Sequence, residues 1–583
     1  MSRSKTKPRY PAQNPAVALE ARAPLWGHGA GPDLWVAAGF FVLALTIYFP
    51  SLQGEFIFGD DEHMILKNVY LQSWGYLPRL LLGNIKEGFG QITNHWRPAQ
   101  MLAYFFLAQI AGLKPWVFHL FNILLHGANG ILLARLLGRL FPDVSRWIPM
   151  AVAIAWMSHP IHAEDIAMAN GTATPLHAFW ILAGSLAFWR ALEISGDGRL
   201  GFWRVGWPWE SKNRWQALAF GCGALALLSK ESAVVFPALF LGLHALHVAQ
   251  RSERNLWPWR EFFVIQAPFW VLSASYVVLR LTALNFGGTL NFYSQPNAFT
   301  ENLLYRVYTL LTILASAWKM LVWPMGLHPE RQWPVFASVG IPVAGSALFL
   351  LAMALLGLWC WKRLPRVTLG IFWFFVSYAP MSNLLAKINA LFWEHWLYLP
   401  SMGAAIAGLA LALRLGRLLH WVAPAAIGVA LGFSVMTFKR SVFWRDSESY
   451  FRYVLSYEPD LAKLWNNLAM AVAEKGDFRQ AAGFYQRAIH LDDIHPETHH
   501  NLGNIYLNLG LTSKAQAEFR RAIKINPKFY HSYISLASID LERGNSGQAI
   551  LYLEAALSIH PHIPGLQNFL AQVKSRMASS AAR

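Results

Sequence analysis

The 583-residue chain has few cysteines and few charged side chains. Its two cysteines, Cys222 and Cys360, lie in or at the edge of apolar blocks and indicate neither a disulfide framework nor a metal site. Charged residues make up 14% of the chain, against roughly a quarter in ordinary soluble domains. This scarcity of charge argues against a soluble class for most of the chain.

Apolar residues are abundant instead, at 55% of the chain with 27 Trp and 38 Phe. They fall into blocks of about 15–22 residues, the length that a helix needs to cross a hydrocarbon core of about 30 Å. The blocks predict a membrane protein with about eleven spans. These begin near Leu34, Trp116, Trp147, Thr174, Trp215, Ala233, Phe262, Ile341, Val367, Trp396 and Trp421.

The net charge of +17 is explained by basic residues in loops that are predicted to face the cytoplasm, so no nucleic-acid partner is expected. Basic residues cluster at the amino terminus and after the second, fourth, sixth, eighth and tenth spans, which places those loops in the cytoplasm. The carboxyl-terminal tail then lies outside. Two further apolar segments, Met101 to Ala111 and Leu303 to Val322, would upset this alternation and are predicted to be interfacial or re-entrant helices. The clusters after the spans are Arg135, Arg139 and Arg146; Arg190, Arg199, Arg204, Lys212 and Arg214; Arg251, Arg254 and Arg260; Lys362, Arg363 and Arg366; and Arg414 and Arg417.

The tail repeats every 34 residues from Pro459 onward. A helix-turn-helix unit of that length with small residues at its crossings is the tetratricopeptide signature. Three units, about the minimum for stability, precede a capping helix over Ile563 to Met577. Concave faces of such arrays bind peptides, which predicts a protein partner. The aligned sets are Leu468, Leu502 and Leu536; Gly476, Gly510 and Gly544; and Ala481, Ala515 and Ala549.

The predicted architecture is therefore all-α, a polytopic helical bundle followed by a tetratricopeptide solenoid. The domains are a cytoplasmic basic segment 1–33, a transmembrane domain 34–440 with catalytic external loops, and an external repeat domain 441–583. The first apolar block ends without a small-x-small cleavage site, which indicates an uncleaved first span.

Three predicted external regions gather polar side chains. Asp60-Asp61-Glu62 follows the first span, where neighbouring acids raise one another's pKa and one could act as a base. The same residues could simply start a helix, with Asp60 as its cap. The second region holds His159, His162 and Glu164, whose spacing fits no strong zinc pattern and could equally form a self-satisfied loop.

The third region is cationic. Lys230 and Glu231 stand between two spans as a structural ion pair or as an anion site. Arg97 and Arg280, on the same external side, could supply phosphate-binding guanidinium groups. Together the three regions predict one outward cavity, in which an acid activates an acceptor and cations hold a departing phosphate.

The order of the motifs along the chain resembles the transmembrane-and-tetratricopeptide (TMTC) family, within the GT-C glycosyltransferase superfamily, over nearly the whole length. The motifs that carry the resemblance are Pro50-Ser51-Leu52-Gln53-Gly54, Phe58-Gly59-Asp60-Asp61, Arg97-Pro98, Phe118-His119-Leu120-Phe121-Asn122, Ser158-His159-Pro160-Ile161-His162-Ala163-Glu164, Leu228-Ser229-Lys230-Glu231-Ser232, Pro380-Met381-Ser382-Asn383-Leu384 and Leu397-Tyr398-Leu399-Pro400-Ser401-Met402-Gly403.

The resemblance implies an inverting protein O-mannosyltransferase that uses a polyprenyl-phosphate sugar and needs no cofactor or metal. By position, Asp60 is the implied base with Asp61 as the near alternative, and Glu164 is the implied acid of the second loop. Lys230, Arg97 and Arg280 are candidate phosphate contacts. Further candidate cavity residues are His159, His162, Glu231, Glu394, His395 and Tyr398.

Three positions depart from the family pattern. Thr172 and Thr174 stand where relatives carry an Arg and then an Asp, and His395 stands where an Arg is usual. Because two guanidinium groups are lost, the resemblance does not determine which sugar is transferred or how its carrier is bound. The short array and few cysteines indicate a bacterial protein of the inner membrane, with a periplasmic repeat domain. A non-catalytic membrane-anchored scaffold, and a transferase that acts on a lipid or glycan acceptor, are the alternative functions.

Overall fold

The computed structural model describes residues 30–194, 211–251, 259–286, 297–388, 390–561 and 565–581. Within these ranges all regular elements are helical, which confirms the predicted all-α class. Most of the predicted cytoplasmic segment 1–33 lies outside the described residues, as do the basic residues Arg199, Arg204 and Arg254.

The amino-terminal part contains thirteen described helices of eleven or more residues. Several begin with proline in the first turn, where its fixed φ suits a helix and its missing N–H costs nothing. The helices are α1 Ala30–Ile47, α2 Pro98–Ala111, α3 Pro115–Leu140, α4 Trp147–Met157, α5 Ala173–Ile194, α6 Ser211–Ser229, α7 Phe236–Arg251, α8 Trp259–Leu281, α9 Leu303–Val322, α10 Ile341–Arg363, α11 Pro365–Tyr378, α12 Tyr398–Ala412 and α13 Val422–Phe443.

A helix lies at each of the eleven predicted spans. Among the described residues, five helical stretches are long and apolar enough to cross a membrane. They are Pro115–Leu140, Glu231–Gln250, Ile341–Arg363, Glu394–Ala412 and Val422–Phe443. The shorter apolar helices are Leu34–Ile47, Pro98–Ala111, Trp147–Met157 and Ile265–Leu281. A multi-pass membrane protein is thus supported, and the count of eleven spans stays a prediction.

Helices α11 and α12 pack with their backbones in close contact. A Cβ on Gly370 would lie 2.5 Å from both the Ala407 nitrogen and the Gly403 oxygen, so only glycine fits there. Small residues at such crossings let helices approach closely inside a membrane. This crossing fixes the start of α12, which carries Tyr398, and the short helical turn Glu394–Leu397 before it.

The predicted external loops meet at one end of the bundle, as the alternation of basic loops requires. Both helices predicted to be interfacial touch this end twice. In α2, Gln100 donates to the Asn170 oxygen and Gln109 to the Leu71 oxygen. In α9, Arg306 donates to the Asn383 oxygen, while the Leu321 oxygen lies 3.1 Å from Nε2 of His159. Both helices therefore contact the end of the bundle where the predicted external loops meet, and their interfacial position stays a prediction.

The carboxyl-terminal part folds as three helix pairs and a final helix, as the 34-residue period predicts. Gly476, Gly510 and Gly544 have φ of +85°, +73° and +80°, the left-handed conformation that ends the first helix of each pair. The helices are α14 Ser447–Leu455, α15 Ala462–Glu474, α16 Phe478–Leu491, α17 Pro496–Asn508, α18 Thr512–Ile525, α19 Tyr530–Glu542, α20 Ser546–Ile559 and the capping helix α21 Leu566–Ala581. We call α15–α21 the repeat array.

Candidate active site

Asp60 lies at the end of the bundle where the predicted external loops meet. We call the surroundings of its side chain, with Lys86, Glu330 and Lys463 within electrostatic range, the recess. Gly59, at φ +103°, turns the chain just before it. The Asp60 side chain is 57% exposed, and its Oδ1 lies 2.6 Å from Nζ of Lys86. Burial by the surrounding protein raises the pKa of Asp60, but the ammonium groups of Lys86 and Lys463 outweigh this, and the pKa lies below its usual value. Asp60 is therefore an accessible, ionised carboxylate at neutral pH.

Asp61, the near alternative, has a different environment. Its side chain is fully buried, with Oδ2 accepting from the Ile57 N–H at 2.9 Å and Oδ1 from the Asn170 N–H at 2.7 Å. Burial raises the pKa of Asp61 to about 7. Asp61 thus fastens the first external loop to the second, and only Asp60 of the pair is open to a substrate.

The other predicted site segments all contact the second predicted external loop, residues 158–174. Oε1 of Glu164 lies 2.8 Å from Nδ1 of His395. The hydroxyl of Thr174 accepts a hydrogen bond from Lys230 at 2.7 Å. Together with the bond from Asn170 to Asp61, these contacts join three separate predicted segments to this loop. The charges of Glu164 and Asp60 both act on Glu330, so Glu330 lies within electrostatic range of both predicted acids.

The predicted phosphate-binding cations also come together, but each already has a protein partner. Nε of Arg97 lies 2.9 Å from Oε2 of Glu231. Arg280 donates to the side chain and backbone oxygens of Asn94, three residues before Arg97. Lys230 is buried and lies within electrostatic range of Arg97. The Lys230 ammonium is also within electrostatic range of Asp165, which follows Glu164 in the second polar region.

The remaining predicted cavity residues are buried in networks of their own. Glu394 accepts from Arg440 at 2.8 Å and from the His328 N–H at 2.6 Å, and is 1% exposed. The Tyr398 hydroxyl lies 2.7 Å from Nδ1 of His126. His162 is fully buried, its ring 4.7 Å from that of Tyr398. All three side chains are buried, and solvent does not reach them in this structure.

An apolar cavity of about 780 Å³ lies between α4 and α9–α13. Its lining runs from Val367 and Leu411, near the predicted cytoplasmic side, to His159 and Lys319 at the external end. Lys319 is exposed, and no ion pair to it occurs among the described residues. The cavity has the length and polarity that suit a lipid chain with an anionic head group at its external end.

Sequence reasoning missed three charged residues at the site. Lys86 and Glu330 lie in loops without a recognisable motif, and Lys463 lies in the repeat array, where the period predicts only a helix. Among the described residues, no group of three or more His, Cys, Asp or Glu side chains could hold a metal ion.

The chain matches known proteins over most of its length. Residues 440–496 and 496–529 match family models of the tetratricopeptide repeat. Protein O-mannosyl-transferase TMTC4 of Mus musculus is 26% identical over 514 residues, 78% of this chain and 66% of that protein. TMTC1 of Mus musculus is 25% identical over 79% of this chain and 58% of that protein. The resemblance to the TMTC family is confirmed, and this chain spans about two thirds or less of these relatives.

Solved structures show a more distant likeness. The apo oligosaccharyltransferase of Archaeoglobus fulgidus superposes with a TM-score of 0.34 at 11% identity, covering 70% of this chain and 56% of that one. ArnT of Cupriavidus metallidurans, bound to undecaprenyl phosphate, superposes with a TM-score of 0.32 at 16% identity, covering 75% of this chain and 81% of that one.

Proposed function

Taking this chain as a homologue of the TMTC proteins, we propose that it is a membrane glycosyltransferase that moves a hexose, mannose in the first instance, from polyprenyl phosphate to Ser or Thr of a protein. One observation carries the proposal. The Asp60 carboxylate is ionised and solvent-accessible in a recess where three external loops meet. The names of the relatives agree with this activity.

In this mechanism Asp60 is the general base. The acceptor hydroxyl gives its proton to Asp60 while its oxygen bonds to the anomeric carbon, and the bond from that carbon to the phosphate oxygen breaks. Attack from the face opposite the phosphate inverts the anomeric centre. The products are the O-glycosylated protein and polyprenyl phosphate, and the proton on Asp60 returns to solvent. The step needs no metal, since side-chain cations can stabilise the departing phosphate.

The apolar cavity is where we place the polyprenyl chain of the donor. Its external end lies at His159, and the second external loop continues from there to Glu164, beside the recess. Lys319 at this end can pair with the phosphate, since an ammonium group attracts it as a point charge. Arg97 and Lys230, the predicted phosphate contacts, would first have to exchange their protein partners.

The acceptor is a protein segment presented by the repeat array, which would raise its local concentration at the recess. With the bacterial character that the sequence indicates, the bundle lies in the inner membrane, and the acceptors are periplasmic or envelope proteins.

A deletion strain complemented with the wild-type chain, Asp60→Asn or Glu62→Gln tests the proposal by mass spectrometry of envelope proteins, lipids and polysaccharides. Glu62 is the matched control, because it pairs with Lys67 and is two residues from Asp60. We expect hexose on Ser or Thr peptides to disappear on deletion, to return with wild type and Glu62→Gln, and to stay absent with Asp60→Asn.

Two other results would overturn this function. A change confined to lipid or polysaccharide would assign the chain to a lipid or glycan acceptor. Unchanged glycoconjugates in the deletion strain would leave only a membrane-anchored scaffold.

A further inference from the structure

The segment that leads into the repeat array contacts the membrane domain through specific polar groups. The Glu55 N–H donates to the Arg445 oxygen at 2.8 Å, and the Phe58 N–H donates to the Ser447 hydroxyl at 3.1 Å. Both donors lie within five residues of Asp60. The segment before the array is therefore held against the first predicted external loop, close to Asp60.

The loop between α9 and α10 forms the other side of this junction. Oε1 of Glu458 lies 3.0 Å from Nε2 of His328 and accepts from the Gln332 N–H at 3.2 Å. The Tyr453 hydroxyl donates to the Leu327 oxygen at 2.5 Å. Residues 327–332 are thus fixed to the segment that leads into the array.

Glu330 lies in the middle of this fixed stretch with an unusual backbone. Its φ is +58°, the left-handed region that a side chain other than glycine seldom adopts. Such a conformation persists only where the surroundings impose it, and it is most frequent at functional sites. Oε1 of Glu330 lies 3.6 Å from Nζ of Lys463, at the start of the first repeat helix. The charges of Asp60 and Glu164 also reach Glu330.

We propose that the repeat array is part of the reaction site, with Lys463 as a positioning residue that holds Glu330 at the recess and adds a second cation facing Asp60. This inference rests on the proposed function, since it assigns Lys463 a part in the work of Asp60. It differs from a tethering role, because an array that only delivers protein would not need a charged side chain at the base.

The consequence is electrostatic. Burial raises the pKa of Asp60, and Lys86 and Lys463 lower it. Removal of either cation therefore moves the pKa of Asp60 upward, and removal of both leaves the effect of burial unopposed. The titratable or charged groups that face Asp60 are Asp61, His63 and Lys86 on the first loop, Glu330 on the loop before α10, Tyr450 on α14 and Lys463 on α15.

The geometry can be tested without activity. A carbodiimide applied to the full-length protein in membranes joins an ammonium and a carboxylate that touch, and mass spectrometry identifies the linked peptides. We expect a Lys463–Glu330 link beside the Lys475–Glu448 link, whose atoms are 2.8 Å apart and which serves as the positive control. A Lys475–Glu448 link without the Lys463–Glu330 link would overturn the proposal.

The effect on the base is tested by pH profiles of kcat/KM in reconstituted vesicles with polyprenyl-phosphate mannose and a Ser/Thr peptide. All variants are compared in a protein that carries Lys86→Met. Without Lys86 the pKa of Asp60 rises, so the fall of kcat/KM at acid pH, which we call the acid limb, moves to higher pH where it can be followed. We expect added Lys463→Met to move this limb to still higher pH, added Lys463→Arg to leave it in place, and added Lys475→Met to have no effect. The proposal would be overturned if Lys463→Met did not shift the acid limb, or if Lys475→Met shifted it by the same amount.

The glycosyltransferase function and the role of Lys463 can be disproved separately. Absence of transfer by the wild-type chain contradicts the glycosyltransferase function and says nothing of Lys463. Transfer that needs Asp60, with an acid limb insensitive to Lys463, contradicts only the role of the array.

Discussion

Nδ1 of His395 lies 2.8 Å from Oε1 of Glu164, so the short turn before α12 holds the acid of the second external loop. Glu164 is buried, and its Oε2 has no hydrogen-bond partner among the described residues. A buried carboxylate oxygen without a donor is costly unless a ligand supplies one. The pair therefore combines an oxygen held by His395 with a buried oxygen that has no hydrogen-bond donor among the described residues.

Glu164→Gln tests this arrangement, because the amide keeps the shape but replaces one acceptor by a donor. We expect at least about a tenfold loss of kcat/KM, the scale of a hydrogen bond to a charged group. His395→Arg is the matched variant, since it introduces the residue usual in the family and places a hydrogen-bond donor beside Oε1. It should retain transfer within about threefold. Equal losses in both variants would show that the pair serves packing only.

Asp61 makes the stability of the fold depend on pH. Burial raises its pKa to about 7 in the folded protein, whereas the unfolded chain has the usual value near 4. Between these values the folded state holds a proton that the unfolded state has released, so the stability that Asp61 contributes falls as pH rises from about 4 to 7.

Thermal unfolding of the detergent-solubilised wild type and Asp61→Asn between pH 4.5 and 8 measures this effect. The variant is expected to be less stable at low pH, because its amide nitrogen faces a backbone N–H. Its Tm should nevertheless decline less than that of the wild type as the pH rises. Parallel curves for the two proteins would mean that Asp61 does not titrate in this range.

Lys319 and the group around Arg97 and Lys230 are alternative contacts for the phosphate of the proposed donor, and single substitutions distinguish them. Lys319→Met should raise the donor KM about tenfold with kcat little changed, because it removes a binding contact at the cavity end and leaves the base intact. Lys230→Met should leave the donor KM within about twofold, since this ammonium already binds Thr174. A raised donor KM with Lys230→Met and an unchanged one with Lys319→Met would instead assign the phosphate to the predicted group around Arg97.

The ion pair of Glu394 and Arg440 should matter for stability rather than for chemistry. Both side chains are buried, with Nη2 of Arg440 2.8 Å from Oε2 of Glu394. Arg440→Met leaves that carboxylate with only the more distant Arg331, at 3.7 Å, and should cost about 3–5 kcal/mol of unfolding free energy. Arg452→Met breaks an exposed pair with Glu448 and should cost less than about 1 kcal/mol. Denaturant or thermal unfolding of the two variants compares them, and similar losses would contradict the distinction.

Much of the architecture can be predicted from the sequence, because it depends on local patterns. Apolar blocks of bilayer length place a helix at every predicted span, and the 34-residue period gives the three helix pairs with their left-handed glycines. The motifs also lead to Asp60, Glu164, Arg97 and Lys230. The sequence does not show which of these side chains are accessible, because that depends on contacts between segments far apart in the chain.

The roles within the acidic pair were decided by tertiary structure. Asp60 and Asp61 are adjacent and chemically equal, but Asp61 turns inward to the backbone of Asn170, 109 residues later, while Asp60 faces Lys86. Lys463 comes close to Glu330 only because the array is fixed to the loop before α10. Sequence by itself determined the membrane class, the repeats and the candidate chemistry, since periodicity and composition act over short distances. Accessibility, partners and charge depend on contacts between distant segments, and these only the folded chain supplies.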